Sequence, residues 1–94
     1  MRSIDIIVPV YNEEEGLRSF HRSVSEIASR EKETCFTFLF IDDGSSDQSL
    51  KVIMDLAGED SRVNYISFSR NFGKEAAIYA GLQHSRGDLA ILMD

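Results

Sequence analysis

Apolar, β-forming segments alternate with helix-period segments along the whole chain, and that alternation admits few folds. Ile4-Asp5-Ile6-Ile7-Val8 runs into Pro9 and predicts a first strand that enters a loop at Val10-Tyr11-Asn12. Leu17, Phe20, Val24, Ile27 and Ala28 recur at spacings of three and four, which predicts a helix closing near Arg30. Asn12, followed by three glutamates, reads as its N-cap, with Glu15 at the capping-box offset. The stretch 36–41 is nearly continuous in apolar residues, as a strand covered on both faces should be. Leu50, Ile53, Met54 and Ala57 then share one helical face before Gly58. A third strand is expected over 63–68, an Ala-rich third helix over 74–84 and a fourth strand over 89–93. Four strands alternating with three helices specify an α/β domain with a parallel sheet, and no repeat or linker divides it.

In an open parallel sheet the loops leaving the strands gather on one edge, where ligands bind. The unusual polar residues all fall in those loops: Tyr11-Asn12-Glu13-Glu14, Asp42 to Asp47, Ser69 to Lys74, and Asp94. The loops entering strands (31–34, 59–62, 85–88) read as ordinary solvated connections. Composition narrows the ligand. Ten Lys and Arg against sixteen Asp and Glu give a net charge of −6, which lacks the basic stripe of a nucleic-acid binder. No apolar run approaches the roughly 20 residues of a membrane span, and no signal peptide precedes the first strand. A single Cys35 allows no internal disulfide and favours a reducing, cytoplasmic setting.

Asp42 and Asp43 at the end of an apolar strand repel one another unless hydrogen-bonded or neutralised by a cation. With Asp94 they offer three carboxylates on one edge, suited to Mg²⁺ or Mn²⁺. Capping of the second helix by Asp43 or Asp47 is an equal alternative for that motif taken alone. Arg70 and Lys74 lie in the same set of loops, and Gly73-Lys74 opens a helix whose N–H groups attract anions. Carboxylates beside a base describe a diphosphate held through a divalent ion. No P-loop, dinucleotide fingerprint or EF-hand spacing occurs. His21 and His84 read as structural or solvated, and Cys35 as a small hydrophobe in a buried strand.

Val8-Pro9-Val10-Tyr11-Asn12-Glu13-Glu14, Ile41-Asp42-Asp43-Gly44-Ser45-Ser46-Asp47, Arg70-Asn71-Phe72-Gly73-Lys74-Glu75-Ala76-Ala77, and Gly87-Asp88 leading to Leu92-Met93-Asp94 together resemble family 2 glycosyltransferases. The likeness runs the length of the chain. Within the family, residues 69–75 look like the branch that transfers a sugar to polyprenyl phosphate. The resemblance implies a GT-A fold whose N-terminal, Rossmann-like half binds the nucleotide, with strand order 3-2-1-4. It implies that Pro9, Tyr11 and Glu13 line the nucleoside pocket, that Asp43 meets the base with Asp42 supporting it, and that Lys74 lies near the base or diphosphate. Asp94 would be the first carboxylate of a D-x-D motif contacting ribose and metal.

A uridine or guanosine diphosphate sugar is the implied donor, Mg²⁺ or Mn²⁺ the implied cofactor, and inverting displacement the implied chemistry. Residues 1–94 are then expected to be the nucleotide-sugar-binding portion of a larger domain cut at the D-x-D motif. The catalytic base and any membrane segments would lie beyond Asp94, leaving the piece inactive alone and the parent at the cytoplasmic face of a membrane. The fourth strand, apolar and uncovered, is expected to drive self-association. The competing reading is a stand-alone nucleotide- or metal-binding α/β regulatory module. A receiver domain would carry its acidic pair after the first strand, whereas here it follows the second. A purely structural α/β domain is the remaining alternative.

Overall fold

A computed structural model describes residues 1–94. The elements are β1 (Arg2–Val10), α1 (Leu17–Ala28), β2 (Thr34–Asp42), α2 (Ser49–Glu59), β3 (Val63–Ser67), α3 (Lys74–His84) and β4 (Leu89–Leu92). All strand pairs are parallel and the sheet order is β3-β2-β1-β4, as expected from the resemblance. The register sets Val10 beside Asp42 and Asp42 beside Ser67, so the first three strands end level at one edge.

Side-chain alternation divides the core. Ile6, Val8 and Val10 of β1 and Phe38 and Phe40 of β2 point to the face covered by α1 and α2, where Leu17, Ile53 and Leu56 pack on them. Ile7, Leu39 and Ile41 point to the other face and meet Ala77 of α3. Gly81 lets α3 settle closely there: a Cβ at this position would come within 2.5 Å of Ile7 Cγ2. Tyr79 and Leu82, on the outward side of α3, and Leu89, Ile91 and Leu92 of β4 remain exposed.

β1 is longer than expected and keeps Pro9 inside it. The parallel ladder explains this tolerance. Ile7 accepts from the N–H of Met93 on the β4 side, and that pairing ends there, so Pro9, two residues on, turns its missing N–H toward a position with no partner strand. Asn12 does not cap α1, which starts at Leu17 after Gly16 and carries no acid in its first turn. Asn12 instead adopts a left-handed φ of 52°, and the turn 13–16 closes through the Glu13 carbonyl, which accepts from the N–H groups of Gly16 and Leu17. Cys35 is exposed rather than buried, because β2 begins at the sheet's lower rim beyond the cover of the helices. His21 is structural, as expected: it lies 5.0 Å from the Phe38 ring and bonds Asp60 Oδ2 at 2.8 Å.

Candidate functional site

The loops leaving β1, β2 and β3 are bound to one another by side chains. Asn12 Oδ1 accepts from the Ser46 N–H at 2.8 Å and the Asp47 N–H at 3.3 Å, while Ser45 Oγ accepts from the Asn12 N–H at 3.0 Å. Ser49 Oγ accepts from the Glu13 N–H at 2.8 Å, and Asp47 bridges the N–H groups of Glu14 and Ser49. These contacts hold Tyr11 and Glu13 over the ends of β1 and β2. Asp47 has its pKa lowered: desolvation is the largest single effect and opposes the shift, and the Ser49 and Glu14 donors together outweigh it.

Asp43 organises the second junction. Its carboxylate, 3% exposed, accepts from the Phe72 N–H at 2.8 Å, the Asn71 Nδ2 at 3.0 Å and the Gly73 N–H at 3.1 Å. The Gly73 N–H also reaches Oδ1 at 3.3 Å, so each oxygen meets two donors and a further donor would take over a direction now shared by the Gly73 N–H. Neither Asp43 nor Asp47 is the formal cap of α2, which follows Gln48; Asp43 holds the approach to α3 instead. Gly44, at φ 66°, presses its backbone against the Arg70–Asn71 peptide, leaving no space for a Cβ. Gly73, at φ 106°, then delivers Lys74 as the first residue of α3.

These junctions enclose a cavity of about 140 Å³ lined by Pro9, Val10, Tyr11, Glu13, Asp43, Lys74 and Asp94. A second hollow of about 260 Å³ adjoins it, sharing Pro9, Val10, Glu13 and Asp94 and extending over Gly16, Leu17 and Phe20. Six of the seven residues singled out from the sequence therefore surround one opening. Asp42 does not line it. It is 2% exposed and shares the α1/α2 face with Phe38 and Phe40, and its Oδ1 has no hydrogen-bond partner. Larger hollows of about 500 and 570 Å³ lie at the opposite edge, around Asp5 and Arg86 and around His21 and Arg62. None of the strand-end loops reaches them.

The three carboxylates expected to converge on a metal do not do so. No group of three His, Cys, Asp or Glu side chains comes together. The reason is geometric: Asp42, the last residue of β2, is buried on the α1/α2 face, whereas Asp43, one residue beyond the strand, is engaged by the β3–α3 loop. Of the three, Asp94 alone faces the cavity as an exposed carboxylate, ion-paired with Lys74 Nζ, and Glu13 is a further exposed carboxylate on the lining. One carboxylate beside a diphosphate still fits Mg²⁺ or Mn²⁺, which commonly take one or two protein carboxylates plus phosphate oxygens. Asn71 and Ser45, which organise the loops, carry no sequence signal beyond their place in the motifs, and Ser49 lies outside them.

Residues 5–94 match the model of glycosyl transferase family 2. The chain belongs to that family. It is 48% identical over 91 residues to the putative glycosyltransferase CsbB of Bacillus subtilis, covering 97% of this chain and 27% of that protein. It is 44% identical to the bactoprenol glucosyl transferase of Shigella phage SfX, covering 97% of this chain and 30% of that one. A third relative, at 40% identity over 92 residues, is the undecaprenyl-phosphate 4-deoxy-4-formamido-L-arabinose transferase of Pseudomonas fluorescens, with coverage of 97% and 27%. The chain thus spans under a third of the length of these curated relatives.

Solved structures agree on the fold. Staphylococcus aureus TarS residues 1–349 superpose with a TM-score of 0.78 at 22% identity, covering all of this chain and 27% of that one. The mannosyltransferase PcManGT of Pyrobaculum calidifontis, solved with GDP-Man and Mn²⁺, gives 0.70 at 19%, covering 95% and 26%. The four-stranded sheet of this family 2 chain is the N-terminal half of a GT-A fold.

Proposed function

We propose that this chain binds the nucleotide of a nucleoside diphosphate sugar at the cavity between β1, β2 and α3, within a protein that transfers the sugar to a polyprenyl phosphate with inversion. The observation that carries the reading is the convergence of Pro9, Tyr11, Glu13, Asp43, Lys74 and Asp94 on one opening. Their chemistry divides by position. Pro9, Tyr11 and Glu13 form the wall for the nucleoside, and Asp43 offers its carboxylate to a ring N–H of a uracil or guanine base, in place of the shared Gly73 contact. Lys74, at the start of α3, lies where a diphosphate gains both its ammonium and the helix N-terminus.

Asp94 would hold the Mg²⁺ or Mn²⁺ together with the diphosphate, and the ion would supply charge stabilisation for the leaving diphosphate. Lys74 pairs with Asp94 and so keeps its carboxylate directed at the cavity. A polyprenyl phosphate acceptor follows the relatives named for bactoprenol and undecaprenyl phosphate, and PcManGT in complex with GDP-Man and Mn²⁺ supports the donor class and the metal. No helix described here is long and apolar enough to cross a membrane. With a lipid-borne acceptor and a nucleotide-sugar donor, the working enzyme would act at the cytoplasmic face of a bilayer. Self-association through the exposed β4 belongs to the same proposal, since Leu89, Ile91 and Leu92 face solvent on an unpaired edge.

Calorimetric titration of the full-length protein with UDP and GDP, each with and without Mn²⁺, tests the reading. Metal-dependent binding of one of them, weakened by Asp94→Asn, is the expected result. Failure of both nucleotides to bind under either condition would remove the proposal.

A further inference from the structure

We infer that Asn71 is a positioning residue that makes the donor site selective for a nucleobase with a ring N–H donor, acting through Asp43. The inference rests on the proposed meeting of Asp43 with the base. Of the three donors on the Asp43 carboxylate, those of Phe72 and Gly73 belong to the backbone, and Asn71 supplies the one side-chain donor. Its Nδ2 reaches Asp43 Oδ2 at 3.0 Å and the Asp43 carbonyl oxygen at 3.1 Å at once. Gripping both ends of one residue fixes the carboxylate's rotation as well as its position. The Phe72 and Gly73 N–H groups also reach both oxygens, Oδ1 from each and Oδ2 from Gly73, but only Asn71 ties the carboxylate to the Asp43 main chain and so sets its angle to its own backbone.

The framework around this grip is rigid. Gly44 lies so close to the Arg70–Asn71 peptide that a Cβ there would stand 2.1 Å from the Arg70 carbonyl carbon, so the β2 and β3 loops are locked in register. Asn71 does not line the cavity, whereas Asp43 and Lys74 do. Any effect of Asn71 on a bound nucleotide therefore passes through the acceptor it orients. Asn71 also stands inside the motif that marks the polyprenyl-phosphate branch, where neither the nucleoside wall nor the diphosphate site uses it.

The test compares the nucleotide that binds, UDP or GDP, with its analogue methylated on the ring nitrogen (3-methyluridine or 1-methylguanosine diphosphate), using full-length protein with Mn²⁺. Wild type should bind the methylated analogue at least about tenfold more weakly, the scale of one lost hydrogen bond to a charged group. In Asn71→Ala the gap should shrink to less than about threefold, chiefly by weaker binding of the unmodified nucleotide. Asn71→Ser, whose hydroxyl is too short to span both Asp43 oxygens, should shrink it likewise and serves if the alanine variant does not fold by circular dichroism.

A folded variant that retains the full gap overturns the role of Asn71. Equal weakening of both nucleotides, with the gap intact, identifies a merely structural contribution and overturns it too. Absence of a gap in wild type instead overturns the contact between Asp43 and the base, and this inference with it.

Discussion

Replacing Gly44 by alanine should separate the two loops that build the site. The added Cβ would lie 2.1 Å from the Arg70 carbonyl carbon, 2.3 Å from the Asn71 nitrogen and 2.6 Å from the Arg70 oxygen, all backbone atoms that no rotamer change can move. Ordinary contact begins near 3.4 Å, so the loops must part by 3.4 − 2.1 = 1.3 Å at this point. The bond from the Phe72 N–H to Asp43, 2.8 Å in the native chain, would then stretch to about 4 Å and cease to be one. Holding alanine at φ 66° adds roughly 1–2 kcal/mol. With the charge-assisted bonds to Asp43 weakened together, the total loss is about 3–5 kcal/mol.

Gly58 supplies the contrast. It sits within α2, is exposed, and has nothing within 4 Å of a built Cβ, so Gly58→Ala should stabilise by about 0.5–1 kcal/mol through helix propensity. Urea denaturation followed by circular dichroism reads both changes. A Gly44→Ala variant within about 1 kcal/mol of wild type would show that the β2 and β3 loops are not held in contact, and the account of the site would fail with it.

Three further outcomes follow from the same geometry. Lys74→Met should lower affinity for the nucleoside diphosphate by about 10- to 100-fold in calorimetry and flatten its salt dependence, with little change in stability because the side chain is exposed. The Asp60 carboxyl lies well below its ordinary value of 3.8, held there chiefly by the Arg62 guanidinium and further by His21, against the opposing effect of burial. A depressed carboxylate stabilises the fold above its unfolded-state pKa, so this contribution should be intact above about pH 4 and fade as pH falls further. Asp60→Asn should cost about 1–2 kcal/mol at neutral pH and flatten that acid limb in pH-dependent melts. Ile91→Lys, on the open edge of β4, should make sedimentation equilibrium of residues 1–94 independent of concentration, while wild type associates; a monomeric wild type at high concentration would count against the exposed strand as an interface.

What could be read from the sequence followed the range over which each signal acts. Strand and helix order came from periodicity, which is a local property, and the order β3-β2-β1-β4 came from a resemblance carried by contiguous motifs. The residues of the cavity were legible for the same reason: each stands at a strand's end or a helix's start, so topology alone brings Pro9, Asp43, Lys74 and Asp94 to one edge.

The errors fall where contacts span distant loops. Asn12 precedes three glutamates and looks like a cap, but Ser46 and Asp47, 34 and 35 residues away, offer it N–H groups that its own turn does not. The metal reading of Asp42 and Asp43 fails at the end of β2: Asp42 closes the strand with its side chain buried, and Asp43, the next residue, is held by donors 28 to 30 residues away. Asn71 escaped notice because its partner lies 28 residues back in the chain, and an asparagine before Phe72-Gly73 reads equally well as an ordinary turn residue. In this chain the residues that line the cavity sit at positions that topology dictates, whereas those that hold them in place are bonded across loops. Substitutions of the second kind, at Gly44 and Asn71, are therefore the sharper test of whether the site works as its geometry implies.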